Sequence, residues 1–174
     1  MKIASELQVR RANIEDATAI ASVLQFAFAE YEPLYTKEGY AATTPPVSAV
    51  LSRLREGPVW VAVTETRIVG TASAVEKEKA LYLRGMGVLP EARGMGVARL
   101  LLKEMEGWAG TLGASRLFLS TTPFLDRAIR LYLAFGFRRT QEGPHELFGT
   151  PLFTMEKPLN NSEPRARECQ PESL

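Results

Sequence analysis

The run Arg93-Gly94-Met95-Gly96-Val97-Ala98 is where this chain could hold an anion. Apolar residues at helical spacing follow it: Val97, Leu101, Met105, Trp108 and Leu112 mark one face, with Leu100 beside it. The run therefore opens a helix. A helix start presents backbone N–H groups without intrahelical partners and carries partial positive charge, so it attracts phosphate. Gly94 and Gly96 have no Cβ and let a ligand approach the backbone. The Arg93 guanidinium can add a bidentate, charge-assisted contact. Two commoner nucleotide loops are excluded. A dinucleotide fingerprint needs a third glycine where Arg99 stands, and a Walker A loop needs a Gly-Lys-Ser/Thr that the sequence lacks. Taken alone, the run also fits an ordinary glycine-rich turn between strand and helix.

The remaining reactive side chains are few. His145, the single histidine, lies in Gly143-Pro144-His145-Glu146, which reads as a loop between the last strands. Cys169, the single cysteine, excludes an intrachain disulfide and fits a reducing compartment. No base lies near it in sequence, so it reads as a spectator thiol. Glu30, Glu32, Glu38 and Glu76 are candidate general bases, and each reads equally as a solvated carboxylate.

The elements that must position these residues follow from periodicity. Leu7-Gln8-Val9-Arg10-Arg11 alternates as a half-buried strand does. Asn13 is placed as a helix N-cap with Asp16 three residues on, and an apolar stripe from Ile14 to Phe28 predicts a helix to about Glu30. Residues 31–46 hold three prolines, a glycine and three tyrosines, and read as a long connection that shapes a binding pocket or is stapled to the core. Its aromatics and carboxylates would suit a cationic, partly apolar ligand. A short helix over about 47–55 comes next. Strands then follow at 59–63, 67–75 and 81–88, with connections short enough for an antiparallel meander. Gly85 and Gly87 fall on one face of the third, marking a close approach of backbone or ligand, or room for a packed helix. Arg-Gly-Met-Gly-Val occurs at both 84–88 and 93–97, once ending a strand and once opening a helix. After the helix from Gly96, ended by Gly113, come a buried strand at 116–120, a helix with Pro123 in its first turn and Gly136 at its end, a strand from Phe137, and a last strand near 152–155.

Two blocks of this pattern resemble a known family. Val88-x-Pro90-x-x-Arg93-Gly94-x-Gly96-x-Ala98, followed by Leu101-Leu102, resembles motif A of the GCN5-related N-acetyltransferases (GNAT), whose Gln/Arg-x-x-Gly-x-Gly/Ala signature is met by Arg93, Gly96 and Ala98. Ala128-x-x-Leu131-Tyr132-x-x-x-Gly136-Phe137 resembles that family's downstream helix-to-strand motif. The resemblance covers about residues 7–157. It implies an α/β (α+β) fold: a mixed, twisted, mostly antiparallel sheet of six to seven strands flanked by about four helices, with the fourth and fifth strands splayed around acetyl-CoA. The implied cofactor-binding residues are Met86, Val88, Arg93, Gly94, Met95, Gly96, Val97 and Ala98, with the backbone of Met86 and Val88 bonding the pantetheine arm. The implied reaction is direct transfer of acetyl to a primary amine of a small molecule or peptide. Tyr132 occupies the position of the general acid on the departing thiolate, and a phenol's pKa lies near that of an alkyl thiol. No metal is implied. One departure is Leu125, where many members of the family carry an asparagine. Any contact that residue makes would have to come from elsewhere, with Thr121 and Thr122 as candidates.

Composition bounds the rest. The 174 residues suit one domain, read as 1–158, followed by a polar tail, 159–174. A net charge of +1 offers no general field for nucleic acid or an acidic membrane surface. No stretch approaches the ~20 apolar residues of a membrane helix, and the first residues carry no apolar signal core, so a cytoplasmic location is expected. A homodimer is common in folds of this kind. The missing asparagine and the unassigned base leave a second reading open, a non-catalytic acetyl-CoA-binding module. A third, a nucleic-acid-binding domain using Arg84, Arg93 and Arg99, has no basic helix to support it.

Overall fold

The computed structural model describes residues 6–160, apart from 66 and 144. The order is β1 (Leu7–Arg11), α1 (Ala17–Phe28), α2 (Lys37–Thr43), α3 (Val47–Glu56), β2 (Val59–Thr64), β3 (Arg67–Lys77), β4 (Ala80–Val88), α4 (Val97–Thr111), β5 (Arg116–Thr121), α5 (Asp126–Phe135), β6 (Arg138–Arg139), β7 (His145–Leu147) and β8 (Thr150–Pro158). The strands form one sheet in the order β1-β2-β3-β4-β5-β8-β6, with β7 also on β8. Every pairing is antiparallel except β4 with β5. The mixed, mostly antiparallel sheet is the one the sequence implies. The eighth strand is β7, whose three residues are too few to leave a periodic signal, while the two-residue β6 is the strand expected from Phe137.

The sheet is covered on both faces. Alternation along β2 shows why Val59-Trp60-Val61-Ala62 is unbroken by polar residues. Val59 and Val61 join the cluster formed with Ala17, Ile20 and Leu24 of α1 and Val50 of α3. Trp60 and Ala62 join the larger cluster under Leu101, Leu102 and Met105 of α4. No helix among the described residues is long and apolar enough to cross a membrane.

The capping box expected at Asn13 is present, but it caps a 3-10 turn, Ile14–Asp16, that leads into α1. The Asn13 side chain accepts from the Glu15 amide at 2.9 Å, and the Asp16 carboxylate accepts from the Asn13 amide at 2.9 Å. Arg10 grips the same carboxylate with both terminal nitrogens, at 2.8 and 2.9 Å.

The connection after α1 differs from the loop expected there. It is built from a 3-10 segment, Ala29–Leu34, and the seven-residue α2. Thr36 caps α2 by accepting from the Gly39 amide and donates its hydroxyl to the Phe148 carbonyl at 2.8 Å. Its amide donates to the Thr150 hydroxyl at 3.0 Å. Partners more than a hundred residues away hold the segment, so no local signal marks it. Other corrections are smaller. Pro123 sits in the turn before α5, whose N-cap is Leu125. His145 lies in β7 opposite Leu152, where a loop was expected. Leu159, placed by sequence in the polar tail, packs against the core and donates its amide to the Ser115 carbonyl at 2.9 Å. Residues 161–174, including Cys169 and most of the expected tail, lie outside the described residues.

Candidate active site

The site begins as a gap in the sheet. β4 and β5 pair over only three positions, Ala80–Arg116, Leu81–Leu117 and Tyr82–Phe118. Beyond Tyr82 the two strands part. On its other edge β4 stays paired with β3 as far as Val88. The Leu89 amide bonds the Val69 carbonyl at 2.8 Å, towards β3. By the alternation of a strand, the N–H and C=O groups of Val88 and Met86 then point the other way, towards the gap.

A bulge sharpens the bend. Thr71 faces Gly87 and Ser73 faces Arg84, so Gly85 and Met86 together oppose Ala72. Gly85 has φ of +58°, which a residue with a Cβ adopts only under strain. Gly87 has a different task. A Cβ there would lie 3.1 Å from both Ala27 Cβ and Leu24 Cδ2, so its bare Cα lets α1 pack on the strand. The second glycine of this pair makes room for a helix; the first makes the turn.

α4 starts at the mouth of the gap. Its N-cap, Gly96, has φ of +81°, and Gly94 has φ of +79°. A Cβ built on either glycine meets nothing within 4 Å. The approach to both glycines is therefore open, next to the first turn of α4, whose amides have no intrahelical acceptor and suit a phosphate. The glycines and the free edge of β4 therefore fit acetyl-CoA.

Two cavities occupy the gap. The first, about 360 Å³, is lined by Met86, Val88, Arg93, Gly94, Gly96, Val97, Ala98 and Tyr132, among others. The structure thus brings together every residue expected there from sequence except Met95, which is half-exposed and outside the lining. The second cavity lies on the far side and includes Tyr35 and Thr43 of the segment after α1, together with Arg53, Arg84 and Thr122. Phe28, Met86, Leu125 and Tyr132 line both, so the cavities meet at Tyr132. Thr121 and Thr122, considered as substitutes for the missing asparagine, line only the second. Leu125 lies at the junction itself.

Tyr132 is 8% exposed, with its ring 5.6 Å from that of Phe137. Burial pushes its phenol well above the ordinary value, and Tyr35 nearby adds to the shift. The hydroxyl is protonated throughout the neutral range, and it makes no hydrogen bond to a described residue.

Arg93 is placed differently from the sequence reading. Its guanidinium pairs with Glu30 at 2.5 Å and donates to the Ala27 carbonyl at 3.1 Å, bracing the loop against α1. Two further cations stand at the cavity: Arg99, which the sequence suggested only for nucleic acid, and Arg127, which it did not single out. Both are exposed, both line the first cavity, and neither has a carboxylate partner among the described residues. Arg99 was legible, since it sits in the first turn of α4. Arg127 follows from the same logic at the start of α5.

None of the candidate bases lines either cavity. Glu30 is taken by Arg93, while Glu32, Glu38, Glu76 and His145 are exposed elsewhere. Among the described residues no carboxylate and no imidazole lines the site. The carboxylates of the 31–46 segment line neither cavity, so they give the expected cationic, partly apolar amine no partner there.

Comparison with known proteins agrees with this geometry. A family model described as the acetyltransferase (GNAT) family matches residues 20–137. The chain is 32% identical over 136 residues to the uncharacterized N-acetyltransferase YjgM of Escherichia coli (strain K12), covering 74% of this chain and 80% of that protein. It is 34% identical over 87 residues to N-acetyltransferase 8B of Homo sapiens, covering 47% of this chain but only 38% of that protein. The PaiA N-acetyltransferase of Thermoplasma acidophilum, solved with coenzyme A, superposes with a TM-score of 0.76 at 17% identity, over 88% of this chain and 99% of that one. The ribosomal-protein-S18-alanine N-acetyltransferase of Escherichia coli gives 0.73 at 16%, over 92% and 99%. At such identities the structural likeness speaks for the fold, and the match over residues 20–137 decides the family. The chain belongs to the acetyltransferase (GNAT) family, as an acyltransferase that uses acetyl-CoA.

Proposed function

We propose that this chain transfers acetyl from acetyl-CoA directly to a primary amine, with the first cavity taking the cofactor and the second the acceptor. The observation that carries this reading is the meeting of the two cavities at Tyr132, where β4 and β5 part. In this reading the amides and glycines at the start of α4 hold the pyrophosphate, with Arg99 and Arg127 as flanking cations. The outward backbone groups of Met86 and Val88 pair with the pantetheine arm.

Acetyl-CoA supplies a thioester carbonyl carbon. The neutral amine nitrogen of the acceptor forms the new C–N bond there as the C–S bond breaks. The sulfur leaves with the electron pair and takes a proton from the Tyr132 hydroxyl. The amine gives up one proton, which restores the phenol directly or through water, so the count balances. With no carboxylate or imidazole lining the site, the acceptor enters as free amine from its own equilibrium in solution. The burial that raises the phenol also raises a thiol in the same cavity, so acid and leaving group stay matched.

Arg99→Glu tests the cofactor assignment, because Arg99 is exposed and its change spares the core. The expected result is acetyl-CoA affinity weaker by roughly ten- to a hundredfold in calorimetry with an unchanged melting temperature. Unaltered affinity would place the phosphates elsewhere.

A further inference from the structure

The second cavity contains a cation, Arg53, that makes no direct ion pair among the described residues. Arg53, on α3, is half-buried in its wall. Its only hydrogen bond among the described residues is a long one, 3.4 Å, to the Ala42 carbonyl. No carboxylate lies within ion-pairing distance of it among the described residues. Arg84, its neighbour in the same wall, is instead paired with Glu56. Burial first, and then the proximity of Arg84, push the Arg53 guanidinium below its ordinary pKa, against a smaller opposing pull from Glu56 and Tyr82. A partly desolvated cation beside another cation is costly unless an anion meets it. The backbone makes room for this arrangement. A Cβ on Gly85 would lie 2.6 Å from Arg53 Nη1, so the bulge glycine leaves the space that the guanidinium fills.

The rest of the wall narrows the ligand. It is apolar at Phe28, Leu119, Leu147 and Leu152, and it carries small hydroxyls at Thr43 and Ser120. No acidic side chain is present to bind a second cation. The volume, about 280 Å³, suits a small molecule.

We propose that the acceptor is a small amine that carries a carboxylate, an amino acid or a close analogue, with that carboxylate held by Arg53 and the amine directed to Tyr132. This rests on the reading of the second cavity as the acceptor site. Arg53 here is a specificity-determining residue: it fixes one end of the acceptor and so places the nitrogen at the junction of the cavities. A guanidinium presents two parallel donors that match a carboxylate, and neither an ester nor an amide replaces that contact.

The test is a set of matched acceptors, each an amino acid and the amine left by removing its carboxyl group, with apolar, polar and acidic side chains represented. Acetyl transfer is followed by release of CoA thiol. The best acceptor is expected to carry a carboxylate and to exceed its matched amine in kcat/KM by about tenfold or more, the usual worth of a charge-assisted hydrogen bond. In Arg53→Gln that preference should collapse towards unity through KM, while acetyl-CoA affinity stays as in the wild type. Arg53→Lys should restore part of it, which a merely structural arginine would not do. Matched amines that perform as well as the amino acids would overturn the proposal. So would a panel in which no member is acetylated although acetyl-CoA still binds. Failure of acetyl-CoA to bind the wild-type protein would instead sink the underlying reading of the first cavity.

Discussion

Replacing Tyr132 by phenylalanine removes one oxygen from the junction of the two cavities and little else. The ring keeps its place against Phe137. The hydroxyl makes no hydrogen bond to a described residue, so its loss strands no partner, and stability should stay within about 0.5 kcal/mol. Tyr132→Ala would be uninformative by contrast, because emptying a buried aromatic site costs about 3–5 kcal/mol. A general acid contributes roughly 10²–10⁴ in rate. At 1.36 kcal/mol per decade that is about 3–5 kcal/mol of barrier, several times any plausible change in stability. The assay is single-turnover acetyl transfer with enzyme in excess of acetyl-CoA, which isolates chemistry from product release. The expected outcome is a rate lower by at least about a hundredfold, with melting temperature and acetyl-CoA affinity unchanged. A rate within about threefold of wild type would refute the proton-donor assignment. A rate loss that tracks a loss of cofactor affinity would show that the phenol positions and does not protonate.

Other outcomes follow from the same geometry. Because burial raises the Tyr132 phenol, its protonated, active form persists to alkaline pH, and the falling limb of kcat should not appear below about pH 10. On the acid side kcat/KM should follow the pKa of the acceptor amine, shifting when the amine is changed; a limb fixed between pH 5 and 8 for every acceptor would reveal a base on the protein. Asp16, held by Arg10, sits below the ordinary carboxylate range, so its contribution is full above the unfolded value of about 4 and is lost as pH falls through the lower folded value. Asp16→Asn should therefore cost about 1–3 kcal/mol in urea unfolding at pH 7, and the difference should shrink as the pH drops below about 4. The Arg11 guanidinium lies over Trp60 at 4.6 Å and over Trp108 at 4.4 Å, and these are the only tryptophans in the chain. Arg11→Ala should shift the intrinsic fluorescence directly and lower stability by about 1–2 kcal/mol; an unshifted spectrum would show the sandwich to be weak in solution.

What the sequence revealed was local in origin. The capping box at Asn13 and Asp16, the glycine cradle before α4 and the stripe of α5 are each determined within a turn or two of chain. Their positions could be read before their partners were known. The first cavity is lined largely by elements of this kind. The second is assembled from distant pieces. α2 is seven residues with a glycine inside, and it is held by Phe148 and Thr150 across the molecule. Arg53 looks like any basic residue near the end of a surface helix until the bulge of β4 is placed beneath it. Arg93 lines the first cavity, but its grip on Glu30 depends on where α1 ends. Composition does not reveal that the carboxylates of the 31–46 segment line neither cavity, because that depends on where the segment folds back.

The three positions that join β4 to β5 have a mechanical meaning. Backbone hydrogen bonding makes two panels of this sheet, β1 to β4 and β5 to β8, and along the seam most of the adhesion is side-chain packing of residues such as Leu81, Leu117 and Leu119. Opening along that seam breaks fewer backbone pairings than unfolding either panel. A ligand that lies in the seam acts as a stitch. At a hundred times its dissociation constant it adds about 2.7 kcal/mol to the stability of the closed form. The same parting of strands that makes room for chemistry therefore makes the rigidity of the protein depend on whether substrate is present.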